Sequence, residues 1–313
     1  MSDFSVLILG DDSAELGGLI AANAELSIPV TVCRDAADAT AAYKDQSILL
    51  GDPVSIAHIL ADMPTVKWVQ STWAGVTPLL EIERRDYVLT GIKDVFGPQM
   101  SEYVLGYMLA HELRITERLT EQRSHQWRES ASGTLLGKKI GVMGTGSIGE
   151  AIASRAHRNG MVVTGLSRSG RPNSTFEDVY TTADMAGFLS ELDYLVSVLP
   201  DTAETDNLLN EATLAHLPSH AWFINVGRAN VVDDGALIQA LKSNALGGAV
   251  LDVFDEEPVP EDSPLWDTPN LLMTPHIAAI SHPELIVPIF LQNYERFISG
   301  RTLMNLIDFE HGY

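Results

Sequence analysis

The feature that most limits the possible folds of this chain is an alternation of short apolar runs with helical stretches. In the first part, the runs SVLILG, IPVTVC, SILLG and VKWVQS alternate with SAELGGLIAANA, DAADATAAYK and PVSIAHILADM. A second series begins at KKIGVMG, residue 138, and continues through MVVTGLS, YLVSVLP, WFINVG, GAVLDVF and LLMTPH. Strands and helices in this order indicate parallel sheets covered by helices. We therefore expect an α/β chain with two doubly wound parallel-sheet domains, Rossmann-like or flavodoxin-like.

Two long helices are predicted to flank the second series. Residues 100–123 carry apolar side chains at roughly helical spacing, with no glycine or proline after Gly106, so one long helix is expected there. It would follow a break at Phe96-Gly97-Pro98. A second long helix is expected after the last strand, ending at Gly300, with Pro288 in its first turns, where a kink is tolerable.

Chain length also favours two domains. At 313 residues the chain exceeds the size at which single hydrophobic cores usually stop growing, about 250–300 residues. If the second long helix returns the chain to the first series, residues 1–98 and 283–313 form one domain and residues 99–282 form the other. A cleft is then expected between the two domains.

The charge of the chain argues against one class of partner. The formal net charge is -22 and the sequence pI is near 4.6, whereas nucleic-acid binding needs a basic surface that releases counterions. The acidity favours solubility, with adaptation to high salt as the alternative. No apolar segment approaches membrane-spanning length and the N-terminus lacks a basic signal region, so we expect a cytoplasmic protein without membrane contact. Cys33, the single cysteine, is expected to be a buried structural thiol.

A glycine-rich loop between the run KIGVM and the helical stretch EAIASR indicates what the second domain binds. The loop consists of Gly144, Thr145, Gly146, Ser147, Ile148 and Gly149. Glycines in this context make a tight turn and let a pyrophosphate approach the N-terminus of the helix. We therefore predict that residues 99–282 bind a dinucleotide and that the other domain binds the substrate. The alternative is a purely structural glycine turn.

The segment after the next strand bears on the choice of dinucleotide. It reads Ser167-Arg168-Ser169-Gly170-Arg171, about 20 residues beyond the loop, where NAD enzymes place an acidic residue. Arg168 can hold a 2′-phosphate, with Ser167 donating a hydrogen bond and Arg171 adding charge. NADP(H) is therefore predicted over NAD(H), and the alternative is a group of solvated turn residues.

Three successive strands of the second series end in Arg228, Glu257 and His276. The carboxyl ends of parallel strands share one sheet edge, where ligands bind. There, His276 can give a proton to a carbonyl oxygen as hydride reaches the carbon, Glu257 can accept the other ring N–H, and Arg228 can grip a carboxylate. The alternatives are a structural histidine and an arginine paired with Asp233 or Asp252. No Cys and His residues show metal-ligand spacing, so no metal is predicted.

Taken together, these motifs resemble the D-isomer-specific 2-hydroxyacid dehydrogenase family. The strings are GVMGTGSIGEAIA, SVLPDTAETDNLLN, INVGRANVVDDGALIQAL, LDVFDEEP, TPHIAA and the tail QNYERFISGRTLMNLID, and the resemblance runs from about Val69 onwards. It implies an NAD(P)-dependent enzyme in which Arg228, Glu257 and His276 are catalytic. It also implies cofactor contacts at Leu199, Pro200, Val226, Gly227, Asp252 (nicotinamide carboxamide) and Ala278. The substrate contacts that it implies are Trp73, Ala74 and Gly75, with Arg228 and His276.

Within the family, STWAGV, SRS and LPDTAETD are most similar to NADPH-dependent glyoxylate/hydroxypyruvate reductases. The resemblance implies reduction of a small 2-keto acid by a homodimer. The predicted helix at residues 100–123 and the segment up to Leu136 are apolar enough to form the dimer contact. A reductase of other substrate range, a formate- or phosphite-type dehydrogenase and a nucleotide-sensing protein of the same fold are the alternatives. Glu257 argues against a formate dehydrogenase, because by the same resemblance the formate branch of the family has glutamine at the position of Glu257.

Overall fold

In a computed structural model, which describes residues 4–310, the chain forms two compact units. The first contains the chain up to Val95 and again from Ser281, and the second is Phe96–Ile280. Each unit holds its own parallel sheet flanked by helices, so the predicted fold class is confirmed. Which unit binds the substrate stays a prediction.

Within the described residues, the first unit has a five-stranded sheet in the order β2-β1-β3-β4-β5. The strands are β1 Val6–Leu9, β2 Val30–Cys33, β3 Ile48–Gly51, β4 Trp68–Ser71 and β5 Val88–Thr90. The helices are α1 Ser13–Ala21, α2 Ala36–Ala42, α3 Pro53–Ile59, α4 Thr77–Glu81 and, late in the chain, α11 Pro283–Ile298. The apolar residues of β1 and β3 are buried on both faces, as expected for a parallel sheet covered by helices.

The second unit has a seven-stranded sheet, counted over the same described range, in the order β12-β11-β10-β9-β6-β7-β8. Its strands are β6 Lys139–Met143, β7 Val162–Leu166, β8 Val179–Tyr180, β9 Tyr194–Ser197, β10 Trp222–Asn225, β11 Gly248–Leu251 and β12 Leu271–Met273. Its helices are α5 Gly97–Glu112, α6 Ile115–Arg123, α7 Ser147–Arg158, α8 Met185–Leu189, α9 Glu211–Leu214 and α10 Asp234–Lys242. The sequence pattern does not predict the short elements β5, β8, α4, α8 and α9, because they are too short to show a period.

Both sheets reverse their strand order at one place. In the first unit β1 lies between β2 and β3, and in the second unit β6 lies between β9 and β7. At such a switch point the loops after the strands diverge in opposite directions and leave a crevice at the carboxyl edge, where ligands bind in open α/β sheets.

The prediction of one long helix over residues 100–123 is wrong. The chain forms α5 and α6, separated by Arg114 in the left-handed conformation with φ of 56°. The carbonyls at and just after the end of α5 have partners outside the helix: Gly133 N–H donates to Glu112 O at 2.7 Å, and Arg118 Nε donates to Leu113 O at 2.9 Å. These bonds replace the backbone hydrogen bonds that a continuous helix would make. The spacing of apolar residues in the sequence does not predict them.

Two other expectations are confirmed. The second long helix is α11, with Pro288 inside it, and Cys33 is only 2% exposed. In the part of the chain that the structure describes, no helix has both the length and the apolar character needed to cross a membrane.

Candidate active site

The three glycines of the loop between β6 and α7 have different surroundings. A Cβ at Gly149 would lie 1.9 Å from Gly144 O, and Gly144 itself has φ of 107°, which side chains rarely adopt. Beside Gly146, by contrast, no atom of the described chain lies within 4 Å of a Cβ position. The first and third glycines therefore serve the turn itself, whereas the second leaves open space for a ligand.

The start of α7 is suited to an anion. The helix begins at Ser147, and no side chain of the described residues caps its first N–H groups, which include those of Ile148 and Gly149. The first N–H groups of a helix have no partner within it, and the helix dipole adds partial positive charge there. Together with the open space beside Gly146, these residues fit the pyrophosphate of a dinucleotide. The methyl of Thr145 packs over Gly165 of β7.

The turn after β7 presents two arginines that have no acidic partner among the described residues. Ser167 Oγ accepts a hydrogen bond from Gly170 N at 3.1 Å, and Ser169 Oγ accepts one from Arg171 N at 3.4 Å. Arg168 and Arg171 are exposed, and neither has a carboxylate within 4.0 Å among residues 4–310. Their charges are therefore available to a ligand phosphate.

The loops after β9 and β10 run close together at the carboxyl edge of the same sheet, on the other side of β6 from β7. Leu199 and Pro200 follow β9, while Val226 and Gly227 follow β10. A Cβ at Gly227 would lie 2.7 Å from Leu199 O, so only glycine allows this approach of the two loops. The predicted cofactor contacts at these four positions thus share the carboxyl edge that contains the glycine loop.

Arg228 is held at the end of β10 by a fully buried side chain. Asn225 accepts a hydrogen bond from Gly227 N at 3.1 Å and donates one to Arg228 O at 2.9 Å. The guanidinium donates to Gly227 O at 2.7 Å. Burial lowers the pKa of Arg228, whereas the charges of Asp201 and Glu257 raise it. Arginine keeps its charge under these conditions, so this half-buried group needs an anion.

Neither proposed structural partner supplies that anion. Asp233 caps α10 by accepting from Ala236 N at 2.9 Å, and Asp252 is engaged in another loop. No carboxylate of the described residues comes within 4.0 Å of the Arg228 guanidinium. The side chain is thus free to bind a carboxylate from outside the chain.

Glu257 and His276 form a hydrogen-bonded pair on the neighbouring strand ends. His276 Nδ1 lies 2.9 Å from Glu257 Oε2, and the other oxygen of Glu257 accepts from Phe254 N at 2.9 Å. A carboxylate only accepts, so Nδ1 is the donor. His276 Nε2 has no partner in the described chain, and 51% of the side chain is exposed. This nitrogen can therefore reach a substrate. Asp255 and Glu256, next to Glu257, are exposed.

Asp252 organises the loop that carries His276. Its carboxylate is 1% exposed; Oδ1 accepts from Thr274 Oγ1 at 2.5 Å and from Ile277 N at 2.9 Å, and Oδ2 accepts from Ala278 N at 2.8 Å. These bonds bracket His276, which has a positive φ of 55°. Asp252 is therefore a positioning residue for His276, and its contact with the nicotinamide stays a prediction, as does that of Ala278.

Two residues of α5 that the sequence did not single out hold the same loop. Tyr103 donates to Thr274 Oγ1 at 2.5 Å, because the hydroxyl hydrogen of Thr274 is used toward Asp252. Gln99 makes two bonds to Ile280, donating to its oxygen at 2.9 Å and accepting from its nitrogen at 3.0 Å. Burial raises the pKa of Tyr103, so it remains a donor. No local sequence signal marks either residue.

In the first unit, the predicted substrate loop follows β4. Ser71 Oγ accepts from Trp73 N and donates to Trp73 O, both at 3.0 Å, which fixes the turn. The N–H groups of Ala74 and Gly75 donate to no acceptor within residues 4–310, and Trp73 is 46% exposed. Consecutive free amides are suited to an anion.

The second unit thus has the fold and the glycine loop of a dinucleotide-dependent oxidoreductase. The family description "D-isomer specific 2-hydroxyacid dehydrogenase, NAD binding domain" matches residues 105–278. The chain belongs to the D-isomer specific 2-hydroxyacid dehydrogenase family. It is accordingly an NAD(P)-dependent oxidoreductase, as the sequence motifs predicted.

Individual relatives agree with this assignment. The chain is 33% identical to glyoxylate/hydroxypyruvate reductase A of Serratia proteamaculans (strain 568), over 82% of this chain and 84% of the relative. It is similar to a solved D-isomer specific 2-hydroxyacid dehydrogenase family protein of Aeromonas salmonicida subsp. salmonicida A449, with TM-score 0.95, 39% identity and coverage of 98% and 100%. An NADPH-dependent glyoxylate/hydroxypyruvate reductase of Sinorhizobium meliloti, solved with NADP and sulfate, has TM-score 0.87, 29% identity and coverage of 99% and 100%.

Proposed function

We propose that the protein reduces a small 2-keto acid of the glyoxylate/hydroxypyruvate type with NADPH, and that His276 donates the proton. The observation that carries this proposal is the Glu257–His276 pair at 2.9 Å, on the same sheet edge as the Arg228 guanidinium, which has no acidic partner in the described chain. The names of the relatives from Serratia proteamaculans and Sinorhizobium meliloti support the substrate type.

A nicotinamide cofactor held at the glycine loop and the start of α7 would supply the hydride for the carbonyl carbon. Arg228 orients the substrate through its carboxylate, in a partly buried place where the attraction exceeds that in water. Nε2 of His276 then delivers the proton to the carbonyl oxygen. Glu257 keeps the ring in one tautomer and orientation through the bond to Nδ1. The amides of Ala74 and Gly75 are proposed as further contacts of the substrate.

The preference for NADPH is proposed from the two arginines after β7. Arg168→Ala is expected to lower the ratio of kcat/KM with NADPH to that with NADH by about tenfold or more, since a charged contact to the 2′-phosphate is lost. Arg158→Ala, which removes the same charge from the far end of α7, is the matched control. An unchanged ratio in Arg168→Ala would contradict the assignment.

The overall reaction is tested by NADPH oxidation with glyoxylate, hydroxypyruvate, pyruvate and phenylpyruvate in turn. Fast turnover of the two smallest polar acids is expected, and the best substrate is then repeated with NADH. Binding of NADPH without turnover of any keto acid would contradict the proposal and favour a different substrate class or a nucleotide-sensing role.

We also propose that the protein is a homodimer whose second copy covers the segment from α6 to β6. Large apolar side chains are exposed along it, with 91% exposure at Trp127, 71% at Leu136 and 49% at Leu119. Several exposed large apolar side chains on one stretch of chain are the kind of surface that a partner covers. A cytoplasmic location stays a prediction of the sequence.

A further inference from the structure

A cavity of about 180 Å³ lies in the first unit, at the switch point of its sheet. Its wall is formed by residues after the carboxyl ends of β1, β3 and β4, chiefly Gly10, Asp11, Asp52, Thr72 and Trp73, and by the start of α1. The cavity adjoins the loop of Trp73, Ala74 and Gly75, whose free amides are proposed to contact the substrate. Crevices at switch points are where open α/β sheets bind ligands.

Two hydroxyl groups in the cavity wall make no hydrogen bond to the described chain and are open to the cavity. Ser13 is 3% exposed and Thr72 is 7% exposed, and neither hydroxyl makes a hydrogen bond to any described residue. A hydroxyl can both donate and accept, and these two have no partner within the described chain that competes for them. Both hydroxyls are therefore available to a polar group of a ligand in the cavity.

The carboxylates in the wall give the cavity a definite chemistry. Asp52 Oδ1 caps α3 by accepting from Ser55 N at 2.8 Å, whereas Oδ2 has no partner in the described residues and lies near Gly10. Asp11 and Asp12 also contribute to the wall, and none of the described residues that line it is Lys, Arg or His. The cavity therefore accepts hydrogen bonds and repels anions.

We propose that this cavity receives the C3 substituent of the substrate and selects 2-keto acids with a C3 hydroxyl over those with an alkyl group or a second carboxylate. This inference rests on the proposed function, because it takes the Trp73 loop as a substrate contact. Asp52 and Thr72 are its specificity-determining residues: Asp52 Oδ2 accepts from the substrate hydroxyl, and Thr72 adds a second hydrogen-bond partner. A second substrate carboxylate would face Asp52 at close range, which is unfavourable.

The test compares three acids that differ only at C3: pyruvate, hydroxypyruvate and oxaloacetate. For each protein, kcat/KM with NADPH is measured and expressed as ratios between the acids, so that a general loss of activity cancels. The wild-type protein is expected to favour hydroxypyruvate over pyruvate by about tenfold or more and to use oxaloacetate least.

Two variants alter the cavity in different ways. Asp52→Asn keeps the cap of α3 but replaces a charged acceptor by an amide, so the oxaloacetate-to-pyruvate ratio should rise about tenfold. Thr72→Val removes a hydroxyl at nearly constant shape and should lower the hydroxypyruvate-to-pyruvate ratio several-fold, by about five to ten times, without raising the oxaloacetate ratio. The control is Asp35→Asn, which removes the same charge from the cap of α2, where Asp35 accepts from Asp38 N at 2.9 Å outside the cavity.

Glyoxylate, which has no C3, separates a failure of the proposed C3 subsite from a failure of the proposed function. If the wild-type protein reduces glyoxylate but the ratios in Asp52→Asn and Thr72→Val equal those in Asp35→Asn, the cavity is not the subsite and the proposed function stands. If the wild-type protein reduces none of the acids, the proposed function fails and the inference fails with it. The shifts expected above, with the control unchanged, establish the subsite.

Discussion

At the scale of single residues, replacing Arg228 and replacing His276 are expected to change different kinetic constants. Arg228→Ala removes the group that holds the substrate carboxylate, so KM should rise by about 10- to 100-fold with a smaller effect on kcat. His276→Ala removes the proton donor, so kcat should fall by about 100-fold or more while KM changes little. Steady-state kinetics of both variants measure this split. Wild-type activity in either one is incompatible with the proposed roles.

Asp252 shows how a residue away from the reacting atoms can act on them. In Asp252→Asn an amide NH2 replaces one acceptor oxygen, which leaves a donor of the loop, such as Ala278 N, without a partner. Burial makes this loss cost about 1–3 kcal/mol, and the loop that carries His276 should loosen. We expect a lower melting temperature together with a fall in kcat and a changed pH profile.

The matched control for this prediction is Asp255→Asn, an exposed position in the loop that follows β11. It removes the same charge without touching the bonds that bracket His276. If Asp252→Asn lost stability but kept the kcat and pH profile of the wild type, Asp252 would be structural only.

At the scale of elements, the break between α5 and α6 places a non-glycine residue in an unfavourable conformation. Arg114 has φ of 56°, and its ion pair with Glu117 at 3.8 Å is exposed and weak. Left-handed backbone costs a side-chain-bearing residue about 1–2 kcal/mol, partly offset by the greater entropy of unfolded glycine. Arg114→Gly should therefore raise the free energy of unfolding by about 0.5–1 kcal/mol, as measured by urea denaturation.

The control for that variant is Thr116→Gly, which places glycine inside α6 instead of at the break. It should lower the free energy of unfolding by about 0.5–1 kcal/mol, because glycine is unfavourable within a helix. Destabilisation by both substitutions would mean that residues 112–116 are helical in solution, as the sequence pattern indicates.

At the scale of the whole molecule, the proposed homodimer depends on the segment around Trp127. Trp127→Glu places a charge in the centre of the proposed contact and is expected to give a monomer in size-exclusion chromatography with light scattering. Trp266→Glu changes another exposed tryptophan of the same unit, 57% exposed, and should leave the mass unchanged. Equal masses for both variants and the wild type would place the interface elsewhere.

The sequence by itself determined the order of the elements and the chemistry of the strand ends. Each helix or strand has its own spacing of apolar residues, so the alternation of the two could be predicted from the sequence. The glycine loop could also be predicted, because it is identified by the strand before it and the helix after it. Arg228, Glu257 and His276 could be grouped from their positions along the chain, because parallel strands place their carboxyl ends on one edge.

The tertiary structure alone decided how that edge is held in place. The bonds from Tyr103 and Gln99 to the His276 loop join residues 171 and 181 positions apart, and the bond from Gly133 N–H to Glu112 O ends α5 although its sequence continues in helical pattern. The cavity around Asp52 likewise combines residues from separate strand ends. Such contacts depend on which segments meet after folding, and the spacing of apolar residues along the chain does not predict them.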